Sequence, residues 1–581
     1  MFGAMGQNRP KKAPAARGAE ARRAGLPRLG EPVADVSRER APWTIRHAAP
    51  LTVLAAIVFL ALVRLRVADV PLERDEGEYA YAGQLILEGI PPFQMAYNMK
   101  FPGTYYAYSV ILAVFGQTAW GVHVGVLAVN AATILILFLL ARRLLRDPMA
   151  AAVAAIAYGF LSIDRWTLAI SGHATHFVVI AALGGLLVLF YAIDSRRWVL
   201  FLAAGALLGV SVLMKQNGIF FLALGVGIAI WSAFDGASRA ATAARRVALV
   251  GLGSAVPVVI LFVSLYAQGV FGRFWFWTIQ YVREYVSEVS VSDAWNVFGE
   301  SFEAITQANA PIWFVGALGV ILLWLAPWSR NARVLLSAFL VVSAAAVCPG
   351  FFFRRHYFIL ALPAVSLFCG VAVASIHRLL GRIAPAGPAR AAAVLVFGIA
   401  VAVYAHREWD YFFSIPTRQL SRIVYGANPF VESLEIAKYI QSHTGPEDRV
   451  AVLGSEPQIF FYANRKSATG YIYTYPLMEQ QKYAVQMQDE MIAEVAAAHP
   501  KYMVFVTVDA SWLARDRNAR ILTWAQKYVE QCYRIVGVSE IISETETKSL
   551  WDGEAAGYRP QSASVVYTLA RRSAEPCMVL Q

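Results

Sequence analysis

Charge is what this chain has little of. Asp, Glu, Lys and Arg make up 15% of its 581 residues, where a soluble globular chain carries about 25%. That deficit excludes an ordinary soluble enzyme. Cysteine is scarce too: the four, at 348, 369, 532 and 577, have none of the close spacing that a Cys-rich metal module needs. No P-loop and no Gly-x-Gly-x-x-Gly occurs, which argues against nucleotide hydrolysis. Nucleic acid is not an expected partner despite a net charge of +12. The excess basic residues sit in the N-terminal arm and in short loops between apolar runs, where they set topology and answer anionic lipid.

What is there is hydrophobic: 58% of the residues, gathered in runs of roughly 17–22, long enough to cross about 30 Å of hydrocarbon as helices. Candidate spans are 49–67, 120–141, 148–163, 174–193, 198–214, 217–234, 247–268, 311–328, 333–350, 357–376 and 389–405. About eleven helices follow. With the N-terminus inside, the loops holding Arg142, Arg143 and Arg146, then Arg196 and Arg197, then Arg239, Arg245 and Arg246, then Arg330 and Arg333, and lastly Arg378, Arg382 and Arg390 all face the cytoplasm. The alternate loops are poorer in basic residues, as the positive-inside rule requires.

Three regions result. Residues 1–47, with ten Lys/Arg against four Asp/Glu, read as a disordered basic cytoplasmic arm. Residues 48–405 read as a polytopic α-helical membrane domain with long outer loops at 68–119 and 269–310. In the first loop a surface helix is expected at 76–88 and an interfacial apolar piece at 104–116. The second carries Phe274, Trp275, Phe276, Trp277, Tyr281 and Tyr285, rings suited to the headgroup layer or to a groove for a lipid chain. Residues 406–581 have no spanning run. Strands at 450–453, 502–506 and 565–569, with helices at 430–442, 483–498 and 520–530, make a small extracytoplasmic α/β domain. Whether Cys532 and Cys577 are bonded there is open from sequence.

Chemistry concentrates after the first span, in Arg74-Asp75-Glu76-Gly77-Glu78-Tyr79. Three carboxylates within four residues beside a membrane are functional candidates. Asp75, with Glu78 three residues on, also has the spacing of a capping box, and Glu76 that of a solvated first-turn acid. Lys100, Lys215, Arg354 and Arg355 lie beside the outer ends of spans, where few cations are expected. Each alone reads as a snorkelling side chain; the four together call for an anionic partner, and a phosphate at the membrane surface fits. Lys215-Gln216-Asn217-Gly218 reads as a tight turn. His173 and His176 are i, i+3, but no carboxylate near them in sequence completes a metal set, so neither a metal nor any other cofactor is expected. Glu456, in Ser455-Glu456-Pro457 after a strand, is either a turn residue or a sugar contact.

The stretch Arg74 to Ala80, then Gly89, then Lys100-Phe101-Pro102-Gly103-Thr104-Tyr105, resembles the first outer loop of the GT-C membrane glycosyltransferases. It is most similar to the branch holding the protein O-mannosyltransferases and the bacterial transferase that adds aminoarabinose to lipid A. Arg355-His356-Tyr357, opening a span with Leu362-Pro363-Ala364, is similar to a late-span pattern of the same enzymes. The resemblance implies a GT-C fold in the bacterial inner membrane, N-terminus cytoplasmic. It implies an inverting transfer of a sugar from a polyprenyl-phosphate donor to a hydroxyl of a lipid, glycan or protein on the outer face. Asp75 matches the catalytic carboxylate, Glu76 its partner and Lys100 the donor-phosphate lysine. Arg355, Arg354 and Lys215 would join Lys100 on the phosphate, with Glu78, Tyr79, Tyr105, His356, Tyr357 and Glu456 as candidate substrate contacts. Phe101 interrupts the family's Lys-Pro pair. Met99 stands where some relatives have a metal-binding acid, so no zinc site of that kind is expected, and Glu78 replaces a basic residue. A transporter or flippase of an anionic or lipid-linked sugar is the competing class; without paired short helices suggesting inverted repeats, it has less support.

Overall fold

The computed structural model describes residues 43–234, 239–514, 519–573 and 577. The expected arm therefore lies outside the described residues, except that helix already begins at Trp43. All eleven apolar runs fall on helices. Nine of the helices that position the site are α1 (Trp43–Arg66), α2 (Arg74–Leu87), α3 (Gly103–Phe115), α4 (Ala119–Leu145), α5 (Pro148–Leu161), α6 (Ala174–Ser195), α7 (Trp198–Met214), α8 (Ile219–Trp231) and α9 (Arg239–Ala267). Helices follow at Arg330–Val347, Leu362–Leu380 and Ala386–Arg407. Among the described residues, seven helices are long and apolar enough to cross a membrane. A further pair, Val291–Thr306 and Ala310–Leu325, is bent by 113° and reaches that length only as one span. The chain is a multi-pass membrane protein.

Burial sorts these helices. In α6 and in Leu362–Leu380, 72% and 78% of the apolar window is covered by protein, against 28% in α1 and 17% in α9. The first two are the centre of the bundle and the others its lipid-facing rim, with Leu51, Leu62, Leu252 and Val263 exposed there. The arginine-bearing loops after α4 and α6 meet at the end of the bundle away from α2, where Arg143, near the end of α4, pairs with Asp194, near the end of α6.

Residues 430–573 form a three-layer α/β unit. Its sheet runs β1-β2-β5-β3-β4 (β1 Val450–Leu453, β2 Tyr502–Val506, β3 Tyr533–Ile541, β4 Thr547–Trp551, β5 Val565–Arg571), with β1 and β2 parallel and the remaining pairs antiparallel. β1 is buried on both faces. Val450 and Val452 pack with Ile436, Ile440 and Phe460, while Ala451 and Leu453 pack with Met491 and Val495, the period of two expected of a strand between helix layers. The strands expected from sequence are present. β3 and β4 were not read, because polar residues such as Arg534, Ser539, Glu540 and Lys548 interrupt their apolar pattern. Cys532 and Cys577 are joined by a disulfide.

The α/β unit sits on α2 and on the 269–310 loop. Trp277 and Tyr281 are buried, Trp277 against Tyr97 and Tyr471, and Tyr281 donates a hydrogen bond to Glu479. These rings join the loop to the α/β unit, where the sequence reading divides them between headgroups and a lipid groove. Contact with α2 is close: a Cβ on Gly77 would lie 2.7 Å from Gln458. Beside it Arg74 pairs with Glu456 at 2.6 Å and donates to the Ser455 carbonyl. Glu456 is fully buried, and Arg74 is its ion-pair partner there. Removing one member of such a pair costs about 3–5 kcal/mol, mostly from the charge left behind. Arg74→Ala should lower the thermal unfolding midpoint in detergent and expose the 407–430 connector to protease. Glu456→Gln in the same chain should restore part of the loss; unchanged unfolding of the single variant would show that the pair does not hold the two units together.

Candidate active site

Helix α2 is capped by Glu73, whose side chain accepts from the Glu76 amide at 2.9 Å while Glu76 reaches back toward the Glu73 amide at 3.4 Å. The capping box is thus shifted two residues from the Asp75/Glu78 pair expected from spacing. The shift decides which acids are available. At about 100° per residue, Asp75 and Glu78 share one face of the first turn and Glu76 points elsewhere.

Glu76 is not a solvated acid. Its carboxylate is buried against His123 at 3.1 Å and accepts the Gly172 amide at 2.5 Å. Arg64, near the end of α1, holds the same loop through the carbonyls of Ser162 (2.6 Å), Ala169 (3.1 Å) and Ile170 (3.2 Å). Tyr108 donates to the Gly172 carbonyl at 2.7 Å. Glu76 therefore fixes the loop that ends in His173. This corrects its expected reading as a solvated first-turn acid.

On the other face, Lys100 Nζ lies 2.8 Å from Asp75 Oδ1 and 2.7 Å from Glu78 Oε2. Glu78 also accepts from Tyr105 at 2.5 Å, and the ammonium sits 4.6 Å from the centroid of the buried Tyr79 ring. Glu78, Tyr79 and Tyr105 thus form the bed of Lys100. The lysine is placed by a turn that sequence did identify: Gln216 donates to the Met99 carbonyl and Thr104 to that of Met214, both at 2.8 Å. Gly103 permits this approach, since a Cβ there would fall 2.4 Å from the Leu213 carbonyl oxygen.

Three further side chains close on Asp75. Tyr473, from the α/β unit, donates to Oδ1 at 2.8 Å. His173 Nδ1 lies 3.5 Å and His356 Nε2 3.8 Å from Oδ2. The two imidazoles stack at 4.1 Å with their planes 11° apart. His176 turns away to the Ala169 carbonyl at 3.0 Å. The i, i+3 pairing with His176 does not form; the partner of His173 is His356, distant in sequence. The reason given for expecting no metal, the lack of a nearby carboxylate, also fails, because Asp75 and Glu73 both lie within 4 Å of His173.

Lys215 rests over the Tyr357 ring, 3.7 Å from its centroid. Arg354 lies over Phe352, within electrostatic reach of Tyr285, Tyr357 and Asp75, and Arg355 opens the 3₁₀ turn Arg355–Leu360 that carries His356 and Tyr357. Glu456 is fully buried, bound to Arg74 and to Gln458 at 2.6 Å, and so takes part in seating the α/β unit on α2.

Electrostatics follow from burial and partners. Burial would raise the Asp75 carboxyl, but Lys100 and then the two histidines outweigh it and hold the group well below its usual range. Burial would lower Lys100, yet Asp75 and Glu78 keep it well above its ordinary value. Burial, helped by Asp75, pushes Glu73 up to about 7, and burial raises Glu78 against Lys100. Burial, His173 and Lys215 keep His356 far below the ordinary imidazole value. Burial brings Lys215 down to about 7, with Asp75 partly opposing. At neutral pH the site holds an ionised Asp75, a charged Lys100 and a neutral His356, ringed by further cations.

Sequence reasoning missed Tyr473 and the His173–His356 stack. The run Tyr471-Ile472-Tyr473-Thr474-Tyr475 was a visible signal for the first; for the second there was none, since 183 residues separate the two rings.

Residues 99–262, beginning one position before Lys100, match the family model for dolichyl-phosphate-mannose-protein mannosyltransferase; Asp75 lies outside the matched segment. No curated protein matches by sequence. Among solved structures, ArnT from Cupriavidus metallidurans bound to undecaprenyl phosphate is similar, at 19% identity and a TM-score of 0.52, covering 79% of this chain and 93% of that one. Its apo state is similar at 16% identity and 0.55, covering 90% and 98%. At such identities the likeness concerns the fold. By matched segment and fold together, the chain resembles the GT-C superfamily of membrane glycosyltransferases, the group that includes protein mannosyltransferases and ArnT.

Proposed function

We propose that the chain is an inverting glycosyltransferase that moves a sugar from a polyprenyl-phosphate carrier to an acceptor hydroxyl on the outer face of a bacterial inner membrane. The observation that carries this reading is the contact of Lys100 with Asp75 at 2.8 Å, with Lys215 and Arg354 within electrostatic reach of the same carboxylate. A carboxylate and a cation suited to phosphate thus lie side by side. The family match and the ArnT bound to undecaprenyl phosphate support a lipid-phosphate donor. The outer placement is supported by the basic loops at the opposite end of the bundle and by the disulfide, which an oxidising compartment permits.

In this reading the donor phosphate binds Lys100 and is flanked by Lys215 and Arg354, with Arg355 on the adjoining turn. Asp75 accepts a hydrogen bond from the acceptor hydroxyl. As the oxygen attacks the anomeric carbon and the bond to the phosphate oxygen breaks, the hydroxyl becomes acidic enough to pass its proton to a strongly acidic carboxyl. The leaving phosphate keeps the electron pair, and the cations hold its charge. A single displacement inverts the anomeric centre. Tyr473 and Lys100 fix Oδ1 and so the plane of the carboxylate.

Asp75→Asn should lower transfer by at least about 10²-fold, the scale of lost general-base catalysis, while leaving undecaprenyl-phosphate binding within a few-fold. Near-normal turnover would remove Asp75 as the base. Lys100→Ala should weaken binding of the same lipid phosphate about tenfold or more, on the scale of a charge-assisted hydrogen bond; unchanged affinity would count against its phosphate role. Because Lys215 titrates at about 7, it is charged below that pH and neutral above. Affinity for lipid phosphate should therefore fall between pH 6 and 8.5 relative to a Lys215→Arg variant, whose guanidinium stays charged throughout. Parallel pH profiles for the two proteins would separate Lys215 from the phosphate.

A further inference from the structure

His173 is the unexplained group beside Asp75. It is 1% exposed, and neither ring nitrogen has a hydrogen-bond partner. Leaving a buried polar group unsatisfied costs about 1–3 kcal/mol, and native structures rarely tolerate it without a purpose. Its Nδ1 points at Asp75 Oδ2 from 3.5 Å and at Glu73 Oε1 from 3.7 Å, both beyond hydrogen-bond distance. His356 Nε2 approaches the same Oδ2 from 3.8 Å. One donor atom from each of Asp75, His173 and His356 lies within 4.8 Å of the others.

Those spacings have a meaning. Four ligands at about 2.1 Å around a tetrahedral ion are about 3.4 Å apart, so the two nitrogen–oxygen distances are those of ligands slightly open around an ion. A parallel stack of imidazoles suits neutral rings, the form that ligates. Two imidazoles and one carboxylate leave a coordination position for another group, the arrangement of catalytic rather than structural zinc sites.

We propose that Asp75 Oδ2, His173 Nδ1 and His356 Nε2 form a binding site for one zinc ion. The ion takes Oδ2 alone, because Oδ1 is held by Lys100 and Tyr473. Glu73 is the nearest further anionic group, and Glu78 offsets the neighbouring Lys100 charge at 2.7 Å. The rigid pieces are already in place: Glu76 and Arg64 fix the His173 loop, and the 3₁₀ turn fixes His356. A carboxylate oxygen has two lone pairs, so zinc on one leaves the other for the acceptor hydroxyl. Any part the ion plays in transfer rests on the function proposed above; the site itself does not.

The test is titration of zinc alone into chelator-stripped, full-length protein in detergent, with a chromogenic chelator as competitor. One zinc per chain is expected. His173→Ala and His356→Gln should each weaken it at least about 100-fold, the loss of one ligand being no smaller than the 10–100-fold typical of disturbed second-shell partners. His443→Ala, at an exposed histidine of the α/β unit, should leave it unchanged. Thermal unfolding of each variant separates lost ligation from lost fold, and His356, being partly exposed, is the safer of the two to replace. No stoichiometric zinc in the wild-type protein, or uptake that survives in folded forms of both variants, overturns the proposal. Since no donor or acceptor is present, zinc bound by a chain that fails to transfer sugar would leave the site standing and refute the transferase reading alone.

Discussion

A desolvated ammonium needs anions, and Lys100 meets that need with two carboxylates one helical turn apart. Asp75 and Glu78 fall on one face of α2 only because the helix starts at Arg74, and it starts there because Glu73 and Glu76 satisfy each other's amides. The other supports of the cluster lie around that start. Tyr79 lies under the ammonium, Tyr105 binds the second carboxylate, and the turn after α7 presses the lysine's loop into place. Lose the register of that first turn and the lysine faces the wrong acids. Charge pairs in such surroundings contribute little net stability compared with an apolar replacement. Their presence is better explained by what they hold ready than by what they stabilise.

The site is assembled from four stretches far apart in the chain: the first loop, the segment before α6, the 3₁₀ turn at Arg355–Leu360, and the aromatic run near Tyr473. Each is held by a different device. Carbonyls around Arg64 shape the second, and Glu76 clamps its last residues. The soluble unit brings the fourth, seated on α2 by Arg74 and Glu456 and on the 269–310 loop by Trp277 and Tyr281. The proposed function depends on tertiary placement of short irregular segments, while the long helices act as their frame.

That division explains how much was legible beforehand. Apolar length marked the helices of the bundle, since hydrocarbon thickness imposes a requirement that sequence must meet locally; among the described residues, seven of them are long and apolar enough to cross. The strands β1, β2 and β5 were visible for a similar reason, being short apolar runs between turns. Asp75 and Lys100 were found because charge beside a membrane is costly enough to need an explanation. Glu76 was misread, since whether an acid on a first turn is a cap, a clamp or a catalyst depends on where the helix begins, to within a residue. Glu456 looked like an open acid only because its partner, Arg74, is more than 380 positions away. The stacked histidines left no mark at all, because neither ring has a sequence neighbour that announces the other.

The bond from Tyr473 to Asp75 crosses between the two halves of the molecule. Neither half is chemically whole by itself. A chimera that exchanged the soluble half for that of a cousin would have to import a phenol at the same height above the carboxylate, and mutational drift on either side is tethered to the other. Replacing either half alone would leave Asp75 Oδ1 without the Tyr473 hydroxyl, even though the two halves look like separable modules.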